Sequence, residues 1–374
     1  NLILNMNDHG FKVAAFNRTT SKVDEFINGP AKGTNIQGVY SLEEMVASLK
    51  TPRKIMLMVK AGDVVDSFIE KIIPLLDEGD VIIDGGNANF PDSERRTKTL
   101  GDQGLLYIGT GVSGGEEGAR FGPSIMPGGS TAAWPLVKDI FQAISAKTED
   151  GTPCCDWVGD GGAGHFVKMV HNGIEYGDMQ LLAELYEILS KQLSYEDISK
   201  LFNEWNQTEL SSYLLEITAQ ILATKEGETY VLDTILDKAG NKGTGNWTTI
   251  ATAQLGAPST LIASALFARY TSFYKEERQK ANVSFKTNKR LELSLNTDDV
   301  LNTYQFARII NHYQGFKLIS EAGKAYGWTL NLSEIARIWT NGCIIKSDLM
   351  KELISVLKED DNILLNKSII EELR

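Results

Sequence analysis

The spacing of apolar residues changes character near residue 160. Before that point, short and continuously apolar runs alternate with amphipathic stretches. Val13-Ala14-Ala15-Phe16, Ile55-Met56-Leu57-Met58-Val59 and Val81-Ile82-Ile83-Asp84 read as strands. Val23-x-x-Phe26-Ile27 and the segment carrying Val64, Val65, Phe68, Ile69, Ile72 and Ile73 read as helices. The chain opens inside an amphipathic helix, Leu2-Ile3-Leu4-Asn5-Met6, that Gly10 stops. Strands alternating with helices predict a parallel, doubly wound α/β sheet, and strands apolar throughout predict one covered on both faces. From about residue 165 the period becomes helical. Leu181, Leu182, Leu185, Ile188 and Leu189 extend one helix beyond 20 residues, and Ile217, Ile221 and Leu222 mark another. Leu261, Ile262, Ala265, Leu266 and Ala268 mark a third, and Tyr304 to Tyr326 and Ile335 to Leu357 two more. The change of period divides the chain into 1–161, an α/β domain, and 162–374, an all-α domain.

The long helix carries the most specific chemistry. After Gly161-Gly162-Ala163-Gly164 comes Val167-Lys168-Met169-Val170-His171-Asn172-Gly173-Ile174-Glu175-Tyr176. Positions i, i+3, i+4 and i+7 share a helix face, so the amine of Lys168, the imidazole of His171, the amide of Asn172 and the carboxylate of Glu175 point the same way. A stripe holding a potential base and a potential acid suits proton transfer. The plainer alternative, an exposed polar face, fits poorly with Val167, Met169, Val170 and Ile174 around it.

The strand ends supply candidate ligand contacts, because open α/β sheets bind ligands beyond the carboxyl ends of their strands. Asn17-Arg18-Thr19 lacks the acidic residue that holds a ribose 2′-hydroxyl, whereas Arg18, Thr19 and Lys22 suit a 2′-phosphate; this favours NADP over NAD, with a loop-capping Arg as the alternative. A second end is Val59-Lys60-Ala61-Gly62. At a third, Asp84-Gly85-Gly86-Asn87, Asn87 offers a donor and an acceptor, or simply makes a turn. Ser113-Gly114-Gly115, in a glycine-dense stretch after Tyr107-Ile108, presents a hydroxyl and consecutive N–H groups suited to a carboxylate or polyol. Pro127-Gly128-Gly129 reads as a turn. A glycine-rich phosphate loop with its first strand would be expected before residue 1.

In the helical half, Lys242 on the glycine loop Gly240-Asn241-Lys242-Gly243-Thr244-Gly245 is a candidate phosphate ligand. Arg269 interrupts an apolar helix and needs an anionic partner, either Asp or Glu or a substrate phosphate.

Composition narrows the classes. A net charge of −12 over 374 residues argues against nucleic-acid binding. No apolar run approaches a membrane span, and no metal-ligand spacing stands out. Three cysteines, two of them adjacent, point to a reduced, intracellular setting.

Phe16-Asn17-Arg18-Thr19, Ile83-Asp84-Gly85-Gly86-Asn87, the stretch from Gly109 to Glu116, the helix motif from His165 to Tyr176, and Lys242-Gly243-Thr244-Gly245 together resemble the decarboxylating, NADP-dependent 6-phosphogluconate dehydrogenases, along essentially the whole chain. The resemblance implies a Rossmann-like NADP-binding domain, lacking its first strand and Gly loop here, then a helical substrate and dimerisation domain. It also implies oxidative decarboxylation of 6-phosphogluconate to ribulose 5-phosphate in the pentose phosphate pathway and gluconate utilization, by a cytoplasmic homodimer. Lys168 is then the general base and Glu175 the general acid. Substrate contacts are implied at Asn87, Ser113, Gly114, Gly115, His171, Asn172, Tyr176, Lys242 and Arg269. NADP contacts are implied at Asn17, Arg18, Thr19, Val59, Lys60, Ala61 and Asn87. The family's C-terminal tail, which reaches the partner's site, would be expected after Arg374 and is absent from these residues. The alternatives are a related β-hydroxyacid dehydrogenase and a non-catalytic sugar-phosphate-binding protein; a purely structural helical scaffold leaves the Lys168–Tyr176 stripe unexplained.

Overall fold

The computed structural model describes residues 1–240, 243–285 and 296–374. They form two compact units: Asn1–Met169 with Gly323–Cys343, and Val170–Ala322 with Ile344–Arg374.

The first unit alternates helix and strand as the periodicity requires. In order it contains α1 (Leu2–Asp8), β1 (Ala14–Phe16), α2 (Thr20–Asn28), β2 (Gln37–Val39), α3 (Leu42–Ser48), β3 (Lys54–Leu57), α4 (Asp63–Ile72), β4 (Val81–Asp84), α5 (Phe90–Gly101), β5 (Leu106–Ser113), α6 (Gly115–Phe121), β6 (Ser124–Gly129), α7 (Trp134–Ile144) and β7 (Gly159–Asp160). Strands β1 and β2 pair in parallel, and the other five form a sheet in sequence order. Its β3, β4 and β5 are parallel, and β6 runs antiparallel to β5. Every residue of β4 is buried, as a strand covered on both faces must be. One face packs Val65, Ile69, Ile82 and Leu100, the other Ile83, Ile108, Val137 and Phe141.

Pro127-Gly128-Gly129 is not a turn. It is the buried second half of β6, with Thr110 opposite Pro127 and Gly109 opposite Gly128. The turn-like composition has a packing cause: a Cβ on Gly128 would lie 2.5 Å from the backbone N of Gly164, and one on Gly129 2.3 Å from the Tyr107 carbonyl. Glycine is required there by close backbone approach.

Helix α8 (Ala163–Leu189) starts in the first unit and runs on into the second. The second unit continues with α9 (Tyr195–Trp205), α10 (Tyr213–Ala223), the hairpin of β8 (Lys225–Glu226) and β9 (Thr229–Tyr230), α11 (Val231–Thr234), α12 (Thr244–Leu255), α13 (Thr260–Phe273), α14 (Lys275–Ser284) and α15 (Thr297–Tyr326). Its core joins Leu182, Leu185 and Leu189 to Ile198, Phe202, Trp205, Leu215 and Tyr304. Among the described residues, this small hairpin departs from an all-α second half. The run from Ile335 to Leu357, expected as one helix, is two: α16 (Leu332–Ile338), which belongs to the first unit, and α17 (Asp348–Glu359) of the second, followed by α18 (Lys367–Glu372). Gly342, at φ +70°, breaks the run, and Ser347 caps α17 by accepting the Met350 N–H. Among the described residues no helix is long and apolar enough to cross a membrane.

Candidate active site

Gly164 seats the start of α8 on the sheet. A Cβ there would fall 2.3 Å from the Gly109 carbonyl oxygen and 2.6 Å from that of Met126, so helix and strands meet backbone to backbone. One turn later, the stem of Lys168 crosses β5 at Gly111, where a Cβ would come within 2.3 Å of the lysine's own Cβ. Lys168 is only 6 % exposed. Gly111 and Ser113 are two residues apart and therefore share a face of β5, which puts the buried Ser113 on the side that Lys168 crosses. Gly114 and Gly115 follow with φ of +106° and +64°, a conformation open to glycine. The exposed-face alternative for Lys168 is thereby removed.

His165, one turn before Lys168, was not singled out as a site residue in sequence. It is buried, and its Nδ1 lies 2.6 Å from the Ser93 hydroxyl of α5. Burial holds its pKa below the usual histidine value, so the ring is neutral at pH 7.

In the second unit, His171 is fully buried; its Nδ1 lies 3.1 Å from Asn172 Oδ1 and 3.8 Å from a Glu175 carboxylate oxygen. Asn172 donates from Nδ2 to the Thr244 hydroxyl at 2.9 Å. The ring of Tyr176 has two close neighbours. The Arg269 guanidinium stacks 3.7 Å from its centroid, and a Cβ on Gly245 would come 2.5 Å from Tyr176 Cε2. Arg269 also donates to the Gly240 carbonyl at 2.8 Å. It is half-buried rather than buried, and among the described residues it meets the Tyr176 ring, the Gly240 carbonyl and Met179 Sδ rather than an Asp or Glu. The loop on either side of Lys242 thus meets Asn172, Tyr176 and Arg269. Lys242 itself lies outside the described residues. Thr244 and Gly245 had no assigned role in the sequence reading; only their presence in the glycine loop hinted at one.

Lys168 and Glu175 stand seven residues apart on one unbroken helix. That separation is two turns, about 10 Å along the axis, with both side chains on the same face.

The remaining candidates lie at strand ends of the first unit. Asn17, Arg18 and Thr19 are exposed after β1, with the Thr19 N–H donating to Asn17 Oδ1 at 2.9 Å. The nearby acid Asp24 accepts from the Tyr40 hydroxyl at 2.7 Å. A cationic strand end whose neighbouring carboxylate is already engaged suits a ribose 2′-phosphate. Val59 and Ala61 are half-buried, and Lys60 and Asn87 exposed. A Cβ on Gly86 would lie 3.0 Å from the Val59 carbonyl, so these two loops run in contact. This donor set fits a dinucleotide phosphate.

Two family models cover the chain: the NAD binding domain of 6-phosphogluconate dehydrogenase over residues 1–159, and the 6-phosphogluconate dehydrogenase C-terminal domain over residues 164–374. The chain belongs to the 6-phosphogluconate dehydrogenase family. The decarboxylating 6-phosphogluconate dehydrogenase of Haemophilus influenzae is 56% identical over 370 residues, 97% of this chain and 76% of that one. The Ovis aries protein of the same name is 54% identical over 358 residues, 93% of this chain and 73% of that one. Among solved structures, Plasmodium falciparum 6-phosphogluconate dehydrogenase, studied as apo protein and with NADP+ or 6-phosphogluconate, superposes with a TM-score of 0.94 at 40% identity, covering 100% of this chain and 82% of that one. A 3-hydroxyisobutyrate dehydrogenase from Mycobacterium tuberculosis, 16% identical with a TM-score of 0.51, shares the fold alone. The family relation therefore favours the sugar-acid phosphate over the wider β-hydroxyacid class.

Proposed function

We propose that the chain is an NADP-dependent dehydrogenase that oxidatively decarboxylates 6-phosphogluconate to ribulose 5-phosphate and CO2 in the pentose phosphate pathway. The observation that carries this is the buried Lys168, on one helix face with His171, Asn172 and Glu175, in a chain 56% identical to a decarboxylating 6-phosphogluconate dehydrogenase.

The substrate's phosphate suits Arg269, Tyr176 and Lys242, and its hydroxyls and carboxylate suit Asn87, Ser113, Gly114, Gly115, His171 and Asn172. Asn17, Arg18, Thr19, Val59, Lys60, Ala61 and Asn87 would hold NADP, whose nicotinamide, when bound, accepts the hydride from C3. Neutral Lys168 takes the proton of the C3 hydroxyl. The resulting ketone stands β to the carboxylate, and as ammonium Lys168 stabilises the enolate oxygen that forms when CO2 departs. Glu175 protonates C1 of the enediol, which completes ribulose 5-phosphate. The base must begin unprotonated, which burial favours for a lysine.

The chain acts as a cytoplasmic homodimer. The exposed apolar residues Ile250, Phe267, Phe273 and Tyr274 of the helical unit support the dimer, and the free thiols of Cys154, Cys155 and Cys343 suit a reducing compartment. The test is CO2 release and NADPH formation from 6-phosphogluconate by the parent chain and by Lys168→Ala. The expected result is coupled formation of both products by the parent and a turnover loss on the order of 10³-fold in the variant. Near-parental turnover in the variant overturns the role of Lys168.

A further inference from the structure

Two of the three strand-end loops that carry the cofactor candidates are held to one buried side chain, Arg96 of α5. Arg96 is 1 % exposed, in a unit where burying a cation demands partners. It uses its fork in three directions. Its Nε donates to Asp66 Oδ1 of α4 at 2.8 Å, its Nη1 to Asp84 Oδ2 at 3.2 Å, and its Nη2 to the Gly62 carbonyl at 3.2 Å. Asp84, fully buried, ends β4; its Oδ1 accepts the Gly86 N–H at 3.1 Å and its Oδ2 also accepts the Tyr107 hydroxyl at 3.2 Å. Gly62, at φ +88°, closes the loop Val59-Lys60-Ala61 and precedes α4. Gly86 precedes Asn87. One planar group therefore fixes the far side of both loops, through a carbonyl on one and a carboxylate-anchored N–H on the other.

No surface ion pair would do this. The fork spans two loops just beyond the pairing of Leu57 with Asp84, where the Gly85 N–H donates to the Leu57 carbonyl at 2.9 Å and Gly86 faces the Val59 carbonyl. Lysine carries the same charge but cannot hold three divergent acceptors in one plane. Asp66 adds its second oxygen to Arg95 at 2.8 Å, and both arginines hold its carboxyl below the usual range, Arg96 most strongly.

We propose that Arg96 is a positioning residue for cofactor binding, setting the spacing of the Val59–Ala61 and Gly86–Asn87 loops without touching the cofactor. The inference rests on the reading of those loops as the NADP contacts.

The test compares Arg96→Lys, Asp66→Ala and Tyr107→Phe in the full chain, by NADP titration and thermal melting. Tyr107→Phe removes one donor to Asp84 but leaves the fork spanning both loops. The expected result is an NADP Kd raised about tenfold in Arg96→Lys and less in Asp66→Ala, at a temperature where circular dichroism shows both folded. Tyr107→Phe lowers the melting temperature and leaves the NADP Kd within about twofold. If Arg96→Lys does not fold, the raised Kd of Asp66→Ala carries the decision. Folded Arg96→Lys and Asp66→Ala with the parental Kd, or a Tyr107→Phe whose Kd rises as much as theirs, overturns the proposal. A parent chain that does not bind NADP instead overturns the cofactor reading itself.

Discussion

The two halves of α8 use glycine for opposite purposes. Where the helix begins, Gly164 removes a side chain so that backbone can touch backbone, against Gly109, Met126 and Gly128. Lys168 is placed as a consequence, its stem laid across Gly111. Farther along, Gly177 removes a side chain so that a polar side chain can enter. A Cβ there would sit 2.1 Å from Asn311 Oδ1. Asn311 uses that room to donate to the Ile174 carbonyl at 2.8 Å and to Asp178 at 2.9 Å. The first half is positioned by shape, and the second by a buried polar network that also includes His312, whose Nδ1 lies 2.9 Å from the Arg308 carbonyl. Lys168, the proposed base, sits on the shape-fitted half.

Breaking the shape-fitted half should have the largest effect. Gly164→Ala forces main chain apart on two strands at once, with no side chain free to yield; soluble, folded protein should be lost, as measured by expression and circular dichroism, at a cost on the order of 4 kcal/mol or more. Gly111→Ala is gentler because it meets one side chain. It should fold, yet lower turnover about 10²-fold with little change in NADP Kd, since only the Lys168 stem is displaced. A variant with parental turnover would show that the strand does not position the base.

The polar half should respond in stability more than in rate. Asn311→Ala strips the Asp178 carboxylate and the Ile174 carbonyl of a buried donor, for a loss of roughly 1–3 kcal/mol in urea unfolding. If Gly177→Ala proves as costly as Gly164→Ala, the distinction between the halves fails.

The smallest effect concerns pH and treats both halves alike. Burial depresses the pKa of His165 at the sheet and of His312 in the helical unit. With the folded pKa below the unfolded value near 6.5, the unfolded chain binds more protons between the two. Stability is therefore full above about pH 6.5 and falls as the pH drops through 6.5 toward the folded values, by at most ~1.4 kcal/mol per pH unit for each ring. Unfolding free energies at pH 7 and 5.5 check this, and His312→Gln should flatten the slope.

How much of the site could be read in the sequence differs between its parts. The stripe from Lys168 to Glu175 was legible because helical spacing alone decides which side chains share a face. The β4 strand was legible from Val81-Ile82-Ile83, since both faces of a central strand must be apolar. Pro127-Gly128-Gly129 was misread because composition marks glycine without saying whether a turn or a close approach requires it. The roles of Ser93 and Arg96 were not legible at all, and those of Thr244 and Gly245 were hinted at only by their place in the glycine loop. Their partners lie 12 to 72 residues away, as in Arg96 with Asp84 and Ser93 with His165, and local pattern carries no information over that range.

By itself, then, the chain determined its alternating α/β half, its helical half, and the order of amine, imidazole, amide and carboxylate along one helix, because those follow from periods of two and 3.6 residues. Tertiary structure alone decided that Lys168 is buried across Gly111, that the Tyr176 ring meets both Arg269 and Gly245, and that Arg96 spans two loops. Those facts depend on which backbones come close enough to exclude a side chain, and that distance is set only when the sheet and the helices have packed.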